Sequence, residues 1–306
     1  MTSASSQASI DQPRGAGAAV LSRAAKGSLT SELWTLYLLT LRQHMHGKRW
    51  MVMGMLFLLP AGLAVLVRAT SPDVPAIVLE FSLAFMFIPQ ALLPLVALLY
   101  ASGIIQDEQE EQTITYLLVR PIPKWAIYAV KLLATLTTTV VLTAVFTGLT
   151  YAAIYVGADA SGENIPFRCL QATSIHALAI ISYCSLFGLL SLVTKRILVV
   201  GILYTAVVEG LLANLPFGIR LVTVIYYTRL IAYRTLDFIL RGPQGGPTNI
   251  AAEAWQFDLR ADPGLLEHPK LGACIAVLLG GSLACTMVAA WICSRREFPV
   301  KPPDQD

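Results

Sequence analysis

Trp50 to Val67 and Leu271 to Cys293 are long runs that contain no charged side chain. An α-helix needs about 20 apolar residues to cross the roughly 30 Å of a bilayer's hydrocarbon, and both runs are of that order. Four further apolar runs lie between them, at about Phe81–Ile104, Trp125–Val156, Ala172–Val193 and Leu198–Asn214. The chain is 56% hydrophobic and 13% charged, against about 25% charged in an ordinary globular protein. The fold class that follows is all-α: a polytopic membrane protein with six transmembrane helices.

The spans carry marks of their own. Pro60 with Gly62 predicts a bend or a close neighbour in the first, and Pro89 and Pro94 in the second leave backbone carbonyls that the bundle must satisfy by other means. In the third, Lys131 sits early enough to snorkel to the interface, and Thr135, Thr137, Thr138, Thr139 and Thr143 follow. A threonine can bond its own helix's carbonyl, so these need no pore to explain them, although Thr137 and Thr138 are retained as candidates for an intramembrane polar site. Gly280 with Ala284 offers a small face for close packing in the sixth span. Before the first span, Leu33, Trp34, Tyr37, Leu38, Leu41 and Met45 share one face of a helix with polar residues on the remainder. That pattern predicts an N-terminal interfacial amphipathic helix over 28–49, lying in the plane of the membrane. Residues 1–27, rich in Ala, Ser and Gly, read as a disordered tail.

Between the second and third spans lies the longest strongly polar interval enclosed by apolar runs, Gly103 to Lys131. Asp107, Glu108, Glu110 and Glu111 crowd together, and Ile114, Leu117 and Leu118 follow at helical spacing before Pro121 and Pro123. Neighbouring carboxylates are too costly for hydrocarbon, so the segment belongs in water or against a soluble partner. A solvated connector would satisfy the charges, but it would have no use for the apolar stripe. The order and spacing of Gly103, Glu108, Glu110, Glu111, Thr113, Leu117, Leu118, Pro121, Lys124 and Lys131 resemble those of ABC-2 type transporter permeases. Gln112 and Pro123 depart from that pattern, where a glycine and a small polar residue are more usual.

The resemblance implies a membrane-spanning subunit of an ABC exporter with a transmembrane domain over 50–294. It implies that 104–124 is a cytoplasmic coupling element docking on a separate ABC ATPase subunit through Asp107, Glu108, Glu110, Glu111, Thr113, Leu117, Leu118, Pro121 and Lys124. It also implies a homodimer or heterodimer of permeases in a bacterial plasma or inner membrane, with ATP used by the partner and no cofactor bound by this chain. The exported substrate is left open. Two other readings preserve much of the sequence pattern: a membrane scaffold or assembly factor regulated by an ATPase, and a secondary transporter. The second lacks a convincing inverted repeat.

Glu209 interrupts the fifth apolar run. An ionisable group inside a span is a functional candidate by default, to be weighed against a hydrogen-bonded structural carboxylate or an interfacial one. Ile219 to Leu240 is nearly apolar enough to span, but Arg220, Arg229 and Arg234 interrupt it and Arg229 would fall near mid-bilayer. A surface or re-entrant element within an external region 215–269 is the better reading. Charge supports the parity of six spans: Arg42, Lys48, Arg49, Arg120, Lys124, Lys195, Arg196, Arg295, Arg296 and Lys301 fall on one side, and the two short loops opposite hold only Arg68 and Arg168 as basic residues. By the positive-inside rule both termini are cytoplasmic, including the tail 295–306.

Other chemistry finds no footing. The chain has no GxxxxGK[ST] phosphate loop and no HExxH, and its five cysteines lack metal spacing. His176 stands apart from acid–base partners in sequence, and no basic patch with interleaved aromatics points to nucleic acid.

Overall fold

The computed structural model describes residues 29–110, 123–158, 164–215, 218–241, 247–255 and 269–295. Helix α1 spans Leu29–His46 and α2 spans Lys48–Thr70. Helix α3 is made of Ala76–Leu79, a wider π-helical stretch Glu80–Leu92, and Leu93–Glu110. Then come α4 (Lys124–Tyr155), α5 (Ile165–Val193) and α6 (Ile197–Tyr204, continued by π-helical Thr205–Leu211 and a 3-10 turn Leu212–Asn214). A short helix α7 (Val224–Thr235), strands β1 (Ile239–Arg241) and β2 (Pro247–Asn249) in an antiparallel pair, and α8 (Ile250–Ala254) precede the last helix, α9 (Leu271–Arg295). Among the described residues six helices are long and apolar enough to cross a membrane, and they are the six expected. Helix α1 is not among them.

The spans are not equivalent. Within their most apolar windows α3 and α5 are 61% and 67% buried, whereas α2, α4, α6 and α9 are between 22% and 33% buried. So α3 and α5 form the centre, and the other four present broad apolar faces to their surroundings. Hydroxyl contacts fasten α5 to α9, with Ser282 Oγ donating to Ser182 Oγ at 3.2 Å and Thr286 Oγ1 to Ser185 Oγ at 3.4 Å. Interhelical hydrogen bonds suit a setting where apolar side chains gain little by leaving lipid for protein. The face expected at Gly280 and Ala284 is turned away from this contact: Ala284 is exposed, and nothing lies within 4 Å of a side chain placed on Gly280. Close helix approach occurs instead at Gly188, where an added Cβ would lie 2.7 Å from Tyr128 Oη, and at Gly201, where it would meet Leu98.

Helix α1 packs chiefly on α4. Tyr37 and His44, seven residues and thus about 10 Å apart along α1, bond to the adjacent residues Thr137 and Thr138 of α4. These two bonds fasten α1 to the middle of α4.

Two apolar clusters divide the bundle end from end. One gathers Ile104, Tyr128, Leu132, Leu192, Ile197 and Cys293, which are the ends of α3, α5 and α9 and the beginnings of α4 and α6. The other gathers Leu79, Tyr155, Ala172 and Cys274 from the opposite ends, and adds Tyr226, Leu230, Phe238 and Trp255 from the region between α6 and α9. Helix α7 extends only about 18 Å, too short to cross, and Ile225 through Ala232 are buried all the way round. It enters the bundle without spanning it. Lys131, expected to snorkel outward, is enclosed by the bundle at 4% exposure, because α4 packs on α5 and α9 along this stretch.

Candidate functional site

The acidic residues Asp107, Glu108 and Glu110 do not begin a separate short helix. They continue α3 beyond Ile104, where its apolar span ends. Glu111, Thr113, Leu117, Leu118 and Pro121 lie outside the described residues. On the far side of that interval Pro123 takes an extended conformation and its carbonyl accepts from Ala126 N and Ile127 N, so α4 starts abruptly there. Lys124, the last of the expected coupling residues, receives a 3.5 Å contact on its carbonyl from Cys293 Sγ, which ties the start of α4 to the end of α9.

Glu209 is fully buried, in the π-helical turn of α6. Its carboxylate accepts from Val224 N at 3.0 Å through Oε1 and from Ile225 N at 3.0 Å through Oε2, while Tyr204 Oη donates to Oε1 at 2.9 Å. The first turn of any helix has N–H groups without intrahelical partners, and its dipole favours an anion there. Thr223 accounts for the next one, accepting from Tyr226 N at 3.4 Å. Glu209 is thus the cap that lets α7 begin inside the bundle. Arg229, one turn further on, donates to Asn214 Oδ1 at 2.9 Å and to Gln90 Oε1 at 3.3 Å, joining α7 to α6 and α3. A charge that would be costly in hydrocarbon is held by two neutral amides and lies in the field of a buried carboxylate.

Thr137 and Thr138 lie elsewhere, on the face of α4 beneath α1. Each donates to the carbonyl four residues back, at 2.9 Å, and each meets α1: Tyr37 Oη donates to Thr137 Oγ1 at 3.1 Å, and His44 Nδ1 lies 3.2 Å from Thr138 Oγ1. The three candidate intramembrane residues therefore do not form one site.

A second fully buried carboxylate was missed by sequence reasoning. Glu80, in the first turns of α3, is fully enclosed. Tyr151 Oη donates to it at 2.7 Å, Tyr155 Oη also donates, and Arg168 near the start of α5 forms an ion pair at 3.0 Å. Arg168 Nη1 reaches on to the Asp237 carbonyl at 3.5 Å, and its guanidinium lies 6.0 Å from the Phe238 ring. One carboxylate so links α3, α4 and α5 at the end where Phe81, Phe85, Phe238 and Trp255 pack edge to face and tilted.

His176 is also buried, and its role follows from Pro89. In a π-helical ladder the N–H of residue 89 would bond the carbonyl of Ala84, but proline has none. His176 Nε2 supplies the missing donor at 2.9 Å. In the neutral ring Nδ1 is then the acceptor, and Thr147 Oγ1 donates to it at 3.0 Å. The histidine closes a gap in the helix and is fully used by doing so. Among the described residues no group of His, Cys, Asp and Glu is arranged to hold a metal ion.

A family model described as ABC-2 family transporter protein matches residues 44–210, more than half of the chain. That interval runs from the end of α1 to the Glu209 turn, taking in the first five spans and the acidic segment. No curated protein matches the chain. With six spans in the expected places and a family match across five of them, the chain belongs to the ABC-2 family of membrane transporter proteins.

Proposed function

We propose that the protein is the membrane-spanning permease subunit of an ATP-binding cassette exporter, driven by a separate cytoplasmic ATPase that docks on the segment from Asp107 to Lys124. The observation that carries this reading is the continuity of α3. Its helix runs without a break from Glu80, past Gln90 and the central apolar cluster, to Glu110. About 9 Å of it extends beyond Ile104, and there it bears the acidic residues. A push on that extension is delivered to one of the two most enclosed helices in the bundle, and through Gln90 and Arg229 to α7. A floppy connector would dissipate the same push.

The subunit works as a pair with a second permease, with both termini cytoplasmic, as the basic residues on that side require. Charge pairing at the docking segment sets register and partner choice, because an exposed ion pair contributes only about 0 to 1 kcal/mol. Leu117 and Leu118 supply the apolar anchors.

The test is charge reversal at Glu108 and Glu111 together, each to lysine, with the permease co-purified with its ATPase and then reconstituted. Association should weaken and ATP-driven flux in vesicles should nearly vanish, while insertion and topology stay intact. A change at Glu163, on the opposite side, should leave ATPase binding untouched. Normal binding and normal flux in the double reversal would reduce the segment to a solvated connector.

A further inference from the structure

Pro89 has no N–H, so whichever ladder α3 forms, one carbonyl upstream of it finds no donor within the helix. Which carbonyl that is depends on the ladder. An α-helix bonds each N–H four residues back and would strand Phe85, whereas a π-helix reaches five residues back and strands Ala84. The structure takes the second course. Glu80–Leu92 is π-helical, and Leu93 N closes the stretch on the Ile88 carbonyl, five residues back. The donor that α5 offers stands at Ala84, where His176 Nε2 lies 2.9 Å from the carbonyl oxygen. Thr147 of α4 holds the ring from its other side, 3.0 Å from Nδ1.

π-Helices occur mostly as single turns, so a stretch of 13 residues calls for a cause. With Pro89 in place each ladder lacks one bond, and the π form is the one in which His176 makes it good. Ala84 and Phe85 are both buried, so neither carbonyl has water to turn to.

We propose that the Pro89–His176 pair fixes α3 in the π register and thereby sets the rotational phase between its two ends. His176 is a positioning residue. Returning a π turn to α turns everything beyond it by about one residue's step, roughly 100°, relative to what precedes it. The outer end of α3 is anchored through Glu80 to Arg168, Tyr151 and Tyr155, and the inner end bears the acidic extension. Within the π stretch the same register brings Gln90 to Arg229. The phase is a property of this chain alone and stands whether or not the extension docks an ATPase.

The experiment uses the full chain in vesicles, without an ATPase, and a small apolar diazirine dissolved in the bilayer. After illumination, carbene insertion is mapped residue by residue by mass spectrometry. Beyond the π stretch Leu95 is 38% exposed, whereas Val96, Ala97 and Leu98 are at most 2% exposed, so label should fall on Leu95 and spare those three. His176→Phe keeps a ring and removes the donor. Label should then move severalfold from Leu95 to one or more of the three neighbours, while the exposed Leu283 of α9 keeps its own. Pro89→Ala restores the missing N–H, completes the α ladder and should move the label in the same way. Because that change favours a helix, it decides the matter even if His176→Phe fails to fold. His176→Gln, whose amide can still donate, should leave the label on Leu95. An unchanged pattern in folded His176→Phe, or in Pro89→Ala, would overturn the proposal. So would an equal rise at all four positions, which is loosening without rotation, or a His176→Gln pattern matching that of His176→Phe, which would assign the effect to the ring's shape and not to its donor.

Discussion

Glu80 and Glu209 are both wholly enclosed in the same bundle, but one is held by side chains and the other by backbone. Around Glu80 the partners are Arg168, Tyr151 and Tyr155, drawn from two other spans. Around Glu209 they are the first N–H groups of a helix only fifteen residues on, with one tyrosine from its own helix. The first arrangement ties distant spans together at one end of the molecule. The second builds a local element, a helix that starts inside the bundle and would otherwise leave its N–H groups unpaired there. Burial alone does not tell a designer which of these a carboxylate is doing; the identity of its donors does.

The comparison is sharpened most by removing the Glu80 charge. Glu80→Ala leaves a guanidinium of which only 13% of the side chain is exposed and strands two tyrosine hydroxyls. Breaking a buried pair in this way typically costs about 3–5 kcal/mol. The expected result is a large fall in thermal midpoint in detergent, with loosening felt in α3, α4 and α5 together. Glu80→Gln combined with Arg168→Gln should be clearly more stable than Glu80→Ala, since no charge is then left unpaired. A Glu80→Ala protein as stable as the parent would show that the cluster holds nothing together.

Glu209→Gln should do less, and do it locally. The amide keeps one acceptor for two N–H groups, so the expected loss is about 1–3 kcal/mol, the cost of one unsatisfied buried donor. Hydrogen exchange should rise at Val224 and Ile225 while the amides of α5 stay protected. Exchange that rises equally across every span would erase the distinction between a local cap and a tie between spans. Loss of transport with this exchange pattern unchanged would instead give Glu209 a part in the transport path.

Why one of these carboxylates was legible and the other was not is a matter of where helices begin. Glu209 interrupts an apolar run, and any charge there stands out. Glu80 immediately precedes Phe81, where hydropathy starts the second span, yet α3 begins at Ala76 and takes Glu80 inside. Arg168 was likewise read as part of a loop, although α5 begins at Ile165. Hydropathy marks where a helix meets hydrocarbon, not where its backbone becomes helical, and the ion pair falls in that margin. Tyr151 and Tyr155, four residues apart on one helix face, were the available hint that something polar was shared there. Arg229 shows the same limit from another side. Its expense in a span was readable and correctly excluded a seventh crossing, but its acceptor Gln90 lies 139 residues away and only packing brings them together. Similarly, two prolines in the second span announced missing N–H groups, and nothing local said that His176 would answer one of them.

The smallest effect is expected beneath α1, and it tests whether depth of burial is what gives the carboxylates their weight. Thr137 and Thr138 are only half-buried, each keeps a bond to its own helix, and the partners on α1 are a tyrosine and a histidine. Replacing a threonine by valine keeps the shape and removes the hydroxyl from both bonds at once, so no buried donor is created on α4. Hydrogen bonds between helices in membranes average about 0.6 kcal/mol, and the paired change Thr137→Val with Thr138→Val should therefore cost about 1 kcal/mol or less. Because these bonds join α1 to α4, the loss should show as faster exchange or proteolysis within Leu29–His46 and as almost no change in the thermal midpoint of the bundle. A midpoint fall as large as that of Glu80→Ala would mean that α1 is a structural pillar and that half-buried polar contacts weigh as much as enclosed charges. Unchanged α1 exchange together with lost flux would place the two threonines in the transport path, as the alternative role for them requires.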